Sequence, residues 1–199
     1  MLIATLLAAA FCQLLGGLAY VRDTLRGRTK PNRVSWALWA AAPIIAVTIA
    51  LTEGAPSWSL LPVFMAGFVP VLVLLSSCFN VQAYWRLDRF DYLCGTFGTL
   101  ALLMWLWASQ PIVAVVMLVT TDALAALPTI RKAWSNPDTE TSLAYFAALF
   151  GGLAALANIQ QWVVLHYAFP IYLVGVNLIL LFAIYRKSIF IRANPTSPP

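Results

Sequence analysis

Charge is scarce in this chain, and negative charge most of all: seven Asp and Glu stand against twelve Lys and Arg, and charged residues make up 10% of 199. With 62% apolar residues beside them, that scarcity excludes an ordinary soluble domain and places the chain in the membrane class. Cys12, Cys78 and Cys94 are odd in number and lack metal-ligand spacing, so they read as free thiols. The single histidine, His166, falls in a short loop beside Tyr167 and reads as a surface residue. There is no Walker loop, HExxH or GxSxG motif. Neither an enzyme, a metal site nor a cofactor is expected.

What the chain does contain is apolar run after apolar run. A span needs about 20 mostly apolar residues, and seven are expected near 1–21, 34–52, 58–79, 91–107, 111–129, 142–161 and 168–186, with ends good to about four residues. Every Lys and Arg falls on one side of them. Arg22, Arg26, Arg28, Lys30 and Arg33 are in the first loop; Arg86 and Arg89 in the third; Arg131 and Lys132 in the fifth; Arg186, Lys187 and Arg192 in the tail. The positive-inside rule then predicts a multi-pass protein of the plasma (inner) membrane, with its N-terminus outside and its C-terminus cytoplasmic. The net charge of +5 reflects that topology and attraction to anionic lipid, and no nucleic-acid partner is expected. The first run resembles a secretion signal, but its basic residues follow it, the charge order of a retained span. Tyr20, Trp36, Tyr84, Trp85 and Trp134 are expected at one interface, and Trp58, Trp105, Trp107, Trp162 and Tyr167 at the other.

An internal repeat joins the two halves. Gly16–Trp39 and Asp122–Tyr145 each run from a span through a basic loop with a proline into the next span; Pro31 and Pro137 stand 106 positions apart, as do Arg26 and Lys132, Ser35 and Thr141, and Trp39 and Tyr145. That offset predicts an all-α membrane protein with two parallel three-helix repeats joined by a linker helix. The first bundle covers 1–79, the linker with its loops 80–110, the second bundle 111–187 and a cytoplasmic tail 188–199. Parallel repeats about an axis along the membrane normal are a transporter architecture, with the ligand between the halves near mid-depth.

On Leu127–Phe146, where Pro128-Thr129 occupies the place of a Pro-Gln pair, the chain resembles the PQ-loop superfamily, which includes the SWEET-like sugar transporters. In the first half Val21-Arg22 stands where such a pair is expected. The resemblance implies prolines acting as helix hinges and an Asn in the last span contacting the solute. Pro43 and Pro128 match the first feature and Asn177 the second. One branch of the superfamily sorts cargo without conducting solutes, so a cargo receptor or membrane adaptor is the alternative to a carrier.

Asp122 is the one ionisable side chain expected deep within a span, where a carboxylate costs about 2.5–3.5 kcal/mol on insertion scales. Either it binds a translocating proton or a substrate cation, or it makes a structural hydrogen bond to a neighbouring helix. Thr129 lies seven residues on along the same face, with Ala125 and Ala126 between them; small residues there leave room for a ligand or allow close helix packing. Asn177, mid-span in the seventh helix, and Asn158, near the end of the sixth, are amides that need partners in an apolar setting. Gly151 and Gly152 join Pro43 and Pro128 as expected hinges. Asp138 and Glu140 read as acids at a helix start. The expected function is facilitative or proton-linked transport of a small polar metabolite (a sugar, an amino acid or a vitamin-like solute) by alternating access. The lipid bilayer and that solute are the expected partners, and self-association is left open.

Overall fold

A computed structural model describes residues 2–52 and 61–193, with side chains described for 4–52 and 61–187. Trp58 and the tail beyond residue 193, both given roles above, lie outside the described residues. Among the described residues there are seven α-helices and no strand: α1 (Leu2–Leu25), α2 (Arg33–Thr52), α3 (Leu61–Phe79), α4 (Arg89–Leu106), α5 (Pro111–Ser135), α6 (Ser142–Ala157) and α7 (Val164–Ala193). Five of them, α1, α2, α3, α5 and α7, are long and apolar enough to cross a membrane, which fits an integral multi-pass protein. The other two fall short of the expected seven: α6 has 16 residues, about 24 Å at 1.5 Å per residue, and α4 opens with Arg89 and Asp91.

Local chemistry sets the helix ends. Asp88 and Asp91 form a reciprocal capping box that starts α4, satisfying two amides that the first turn leaves without partners. Pro111 occupies the first turn of α5, where its missing N–H costs nothing. The chain leaves α1 through Gly27, whose φ of 72° suits a residue without a Cβ. Asn80 then donates from Nδ2 to the Leu25 carbonyl at 2.8 Å, covering one of the open carbonyls at the end of α1.

The helices close into a ring. Going round it, α1 packs on α3, α3 on α2, α2 on α5, α5 on α7, α7 on α6 and α6 back on α1, while α4 lies outside against α5 and α2. Small residues allow the closest approaches, as expected where lipid tails replace water and backbone contact drives association. At Gly16 a Cβ would fall 2.7 Å from the Ala147 Cβ and 2.8 Å from the Leu143 carbonyl oxygen, so α1 and α6 touch backbone to backbone. The outer surface is apolar. On α4, Phe90, Leu93, Phe97, Leu100 and Met104, spaced three and four apart, are all exposed, a contiguous apolar stripe suited to lipid.

The basic loops meet at one end of the ring, here called the basic end: Arg131 pairs with Asp88 at 2.6 Å, Lys30 N donates to the Thr139 carbonyl at 3.0 Å, and Arg186 donates to the Trp134 carbonyl. The Asp91 backbone amide and the Arg131 guanidinium hold the exposed Asp88 carboxyl below its ordinary range. Two residues expected at this interface are core instead. Tyr20 is fully buried and Trp36 nearly so, with ring centroids 4.6 Å apart: both turn into the helix ring, where the Tyr20 hydroxyl finds Glu140 while the Trp36 indole N–H is left without a partner among the described residues. Tyr84 and Trp134 are half exposed and Trp107 and Trp162 more so, as anchors should be.

Candidate functional site

A cavity of about 340 Å³ occupies the middle of the ring, and each of the six ring helices lines it. Its wall is mostly apolar and aromatic, including Trp36 and Trp39 of α2, Tyr145 of α6 and Phe169 of α7. Pro62, Val63 and Phe169 line it at the end opposite the basic loops; Trp36, Tyr145 and Leu180 line it toward the basic end. The volume lies in the range of small-molecule sites.

Asp122 and Asn177 both line this cavity. Asp122 Oδ2 accepts a hydrogen bond from the Tyr172 hydroxyl at 2.7 Å, so α7 steadies the α5 carboxylate. No ion pair reaches Asp122 among the described residues, and the lining contains no Lys, Arg or His. Asn177 Nδ2 donates to the Leu173 carbonyl one turn back at 2.8 Å; its Oδ1 and second N–H are left for other partners.

The remaining site residues sit elsewhere. Thr129 is fully buried and donates to the Ser35 hydroxyl at 2.8 Å, tying α5 to α2 beyond the cavity's basic end. Ala125 and Ala126 are likewise fully buried and absent from the lining, so their small side chains serve packing. Asn158 follows the last turn of α6 and donates to Thr5 Oγ1 of α1 at 3.0 Å and to the Ala154 carbonyl at 2.7 Å. Pro43 and Gly151 line the cavity, whereas Gly152 faces Val174, 3.0 Å from where a Cβ would stand. Pro128 is buried inside a continuous α5 and borders a smaller polar pocket of about 140 Å³ with Trp85, Arg86 and Lys132.

A buried polar lattice links α1, α5 and α6 at the basic end. Lys132 Nζ of α5 lies 2.6 Å from Glu140 Oε1, with side-chain exposures of 1% and 0%. That contact is an ion pair outside hydrogen-bond geometry, and Oε1 has no other partner. Glu140 Oε2 accepts from the Tyr20 hydroxyl at 2.8 Å and the Tyr145 hydroxyl at 2.7 Å, while Lys132 Nζ also reaches the Lys30 and Thr139 carbonyls. Next to this, Thr141 donates to Asp23 Oδ2 at 3.1 Å and shares a 2.6 Å hydrogen bond with Thr29. Glu140 is therefore no helix-start acid. Thr141 is the N-cap of α6, and the carboxylate one residue earlier turns inward to three partners on α1, α5 and α6.

Sequence reasoning gave Glu140, Lys132 and Tyr20 other roles, as a helix-start acid, a loop cation and an interfacial aromatic, and passed over Tyr172 and Gln13, a cavity-lining amide with a buried, unpartnered Oε1. The 106-residue offset does bear on two of the contacts: it relates Asp23 to Thr129 and Ser35 to Thr141, so the Asp23–Thr141 and Thr129–Ser35 hydrogen bonds are counterparts. No protein-family model, curated protein or solved structure matches the chain.

Proposed function

We propose that the chain is a small-solute membrane transporter working by alternating access, facilitative or proton-linked. The observation that carries the reading is one cavity bounded by all six ring helices and holding an acid, with a buried ion pair at the basic end of the ring. Carriers expose such a site to each side in turn, and a ring able to open at either end is the mechanical requirement.

The ring divides naturally into α1–α3 and α5–α7, with α4 as the linker that keeps both trios in the same orientation. In each trio the third helix packs between the other two, and the trios meet through α1 with α6 and α2 with α5. That exchange is what an axis along the membrane normal requires, and the paired Asp23–Thr141 and Thr129–Ser35 bonds obey it. It favours the PQ-loop resemblance. With the basic end cytoplasmic by the positive-inside rule, the arrangement corresponds to a carrier closed toward the cytoplasm.

The test is flux in proteoliposomes across a panel of sugars, amino acids, nucleosides and aryl-alkyl amines, comparing the native chain with Ala46→Trp, which sets a large ring in the cavity wall. A solute moved by the native chain should be moved at least tenfold more slowly by the filled variant, with little change in melting temperature. Equal flux through both would refute the cavity as the route.

A further inference from the structure

We infer that the central cavity selects a monovalent organic cation with an apolar, preferably aromatic, body. The inference deepens the carrier reading of the same cavity and rests on it. Charge is the first argument. Asp122 is the single acid of the lining, no basic side chain faces it there, and among the described residues it forms no ion pair. A carboxylate held in an apolar wall without a counter-charge is a standing cost that an incoming cation removes.

The walls are the second argument. Trp36 and Trp39 meet edge to face at 5.3 Å, Phe169 and Tyr172 lie 6.0 Å apart, and Trp36, Trp39 and Phe169 line the cavity with Tyr145. Indole and phenyl faces attract a cation through their quadrupoles, more strongly where water is displaced, and they cover an apolar body at the same time.

Hydrogen-bonding capacity is the third argument, and it sets the limit. Besides Asp122 and the Asn177 amide, the polar side-chain groups of the lining are the Gln13 amide, whose Oε1 is buried, the Trp36 and Trp39 indoles, and the Tyr145 hydroxyl, which is already given to Glu140. A hexose brings five or so hydroxyls, each costly to strip of water without a partner. A single ammonium group on a hydrocarbon body needs far fewer partners, and the Asp122 carboxylate is an acceptor of matching charge.

The experiment uses the purified full chain and four probes: 2-phenylethylammonium, 2-phenylethanol, 3-phenylpropionate and glucose. Affinities are measured by calorimetry and by the rise in melting temperature that ligand binding produces. The ammonium should bind at least tenfold more tightly than the alcohol, and the propionate and glucose should not stabilise the protein. Asp122→Asn should lower the ammonium affinity to that of the alcohol and leave the alcohol unchanged, while Asp122→Glu should retain the preference. A preference below tenfold in the native chain overturns the inference without any variant, as does tighter binding of the propionate or glucose. Counterflow in proteoliposomes separates the two readings. Ammonium that binds selectively but never crosses refutes transport and leaves the cation site standing; glucose flux that the ammonium does not inhibit refutes the cation class and leaves the carrier standing.

Discussion

Glu140→Gln is the sharpest perturbation the structure offers. The substitution preserves shape and keeps an acceptor oxygen for Tyr20 and Tyr145, but removes the negative charge 2.6 Å from Lys132 Nζ. Breaking one partner of a buried pair costs about 3–5 kcal/mol, since the other charge is left uncompensated. The lower end is expected here, because the ammonium keeps the Lys30 and Thr139 carbonyls and lies 5.3 Å from the Trp85 ring centroid. For a chain of this length about 3 kcal/mol corresponds to a fall in melting temperature of roughly 6–12 °C. The assay is a melting curve in one detergent for the native chain, Glu140→Gln, Lys132→Met and the double variant. Replacing both charges removes the desolvation penalty along with the attraction, so the double variant should melt close to the native chain, and the two single losses should not add. A Glu140→Gln shift under about 1 kcal/mol, or a double variant as unstable as the two singles combined, would refute the reading of this pair as a stabilising link at the basic end.

Gly16→Ala should force α1 and α6 apart, because the new methyl would stand 2.8 Å from a backbone oxygen that no side-chain rotation can move; a loss of about 1–3 kcal/mol is expected, read as a lowered melting temperature. Ser35→Ala leaves the Thr129 hydroxyl without its acceptor at 2.8 Å and should cost about 0.6–1.7 kcal/mol, the range for interhelical hydrogen bonds in membranes. A melt unchanged by Ser35→Ala would mean that Thr129 finds another acceptor within α5.

The helices were largely legible in the sequence, but their ends were not. Hydropathy marks where side chains leave the apolar zone, and the backbone ladder continues past that point. Thus α5 runs on through Arg131 and Lys132 to Ser135, and α7 through Arg186 and Lys187 to Ala193. Arg186 shows how: it donates back to the Ala183 carbonyl and across to that of Trp134, keeping its charge satisfied at the rim while its stem covers the helix. Asp122 and Asn177 could be singled out because polarity in an apolar run is conspicuous. Tyr20, Trp36, Tyr145 and Tyr172 could not, since a helix apolar all round gives no periodic sign of which face meets its neighbours and which meets lipid. Glu140 was hidden differently. Next to a proline turn it matched the pattern of a helix-start acid, and only the meeting of α1, α5 and α6 at that point turns it inward.

The two halves of the proposed repeat are not equivalent at the basic end, and the difference bears on mechanism. The offset that pairs Asp23 with Thr129 and Ser35 with Thr141 places Arg26 opposite Lys132 and Val34 opposite Glu140, so the second half alone carries the ion pair. In the proposed carrier, closure then leans on one arm, and opening would separate Glu140 from Lys132, Tyr20 or both. A ligand shifts such an equilibrium only as far as it binds one form better than the other. Tyr145 supplies the link. Its ring lines the cavity while its hydroxyl donates to Glu140, so in the proposed carrier a solute that displaces this ring would act on the acceptor at the basic end. Tyr145→Phe keeps the ring against the solute and removes that connection, and in the proposed carrier it should leave ligand affinity within about threefold while changing the rate of exchange across the membrane. Unaltered exchange in that variant would show that the closure responds to the ligand by some other contact.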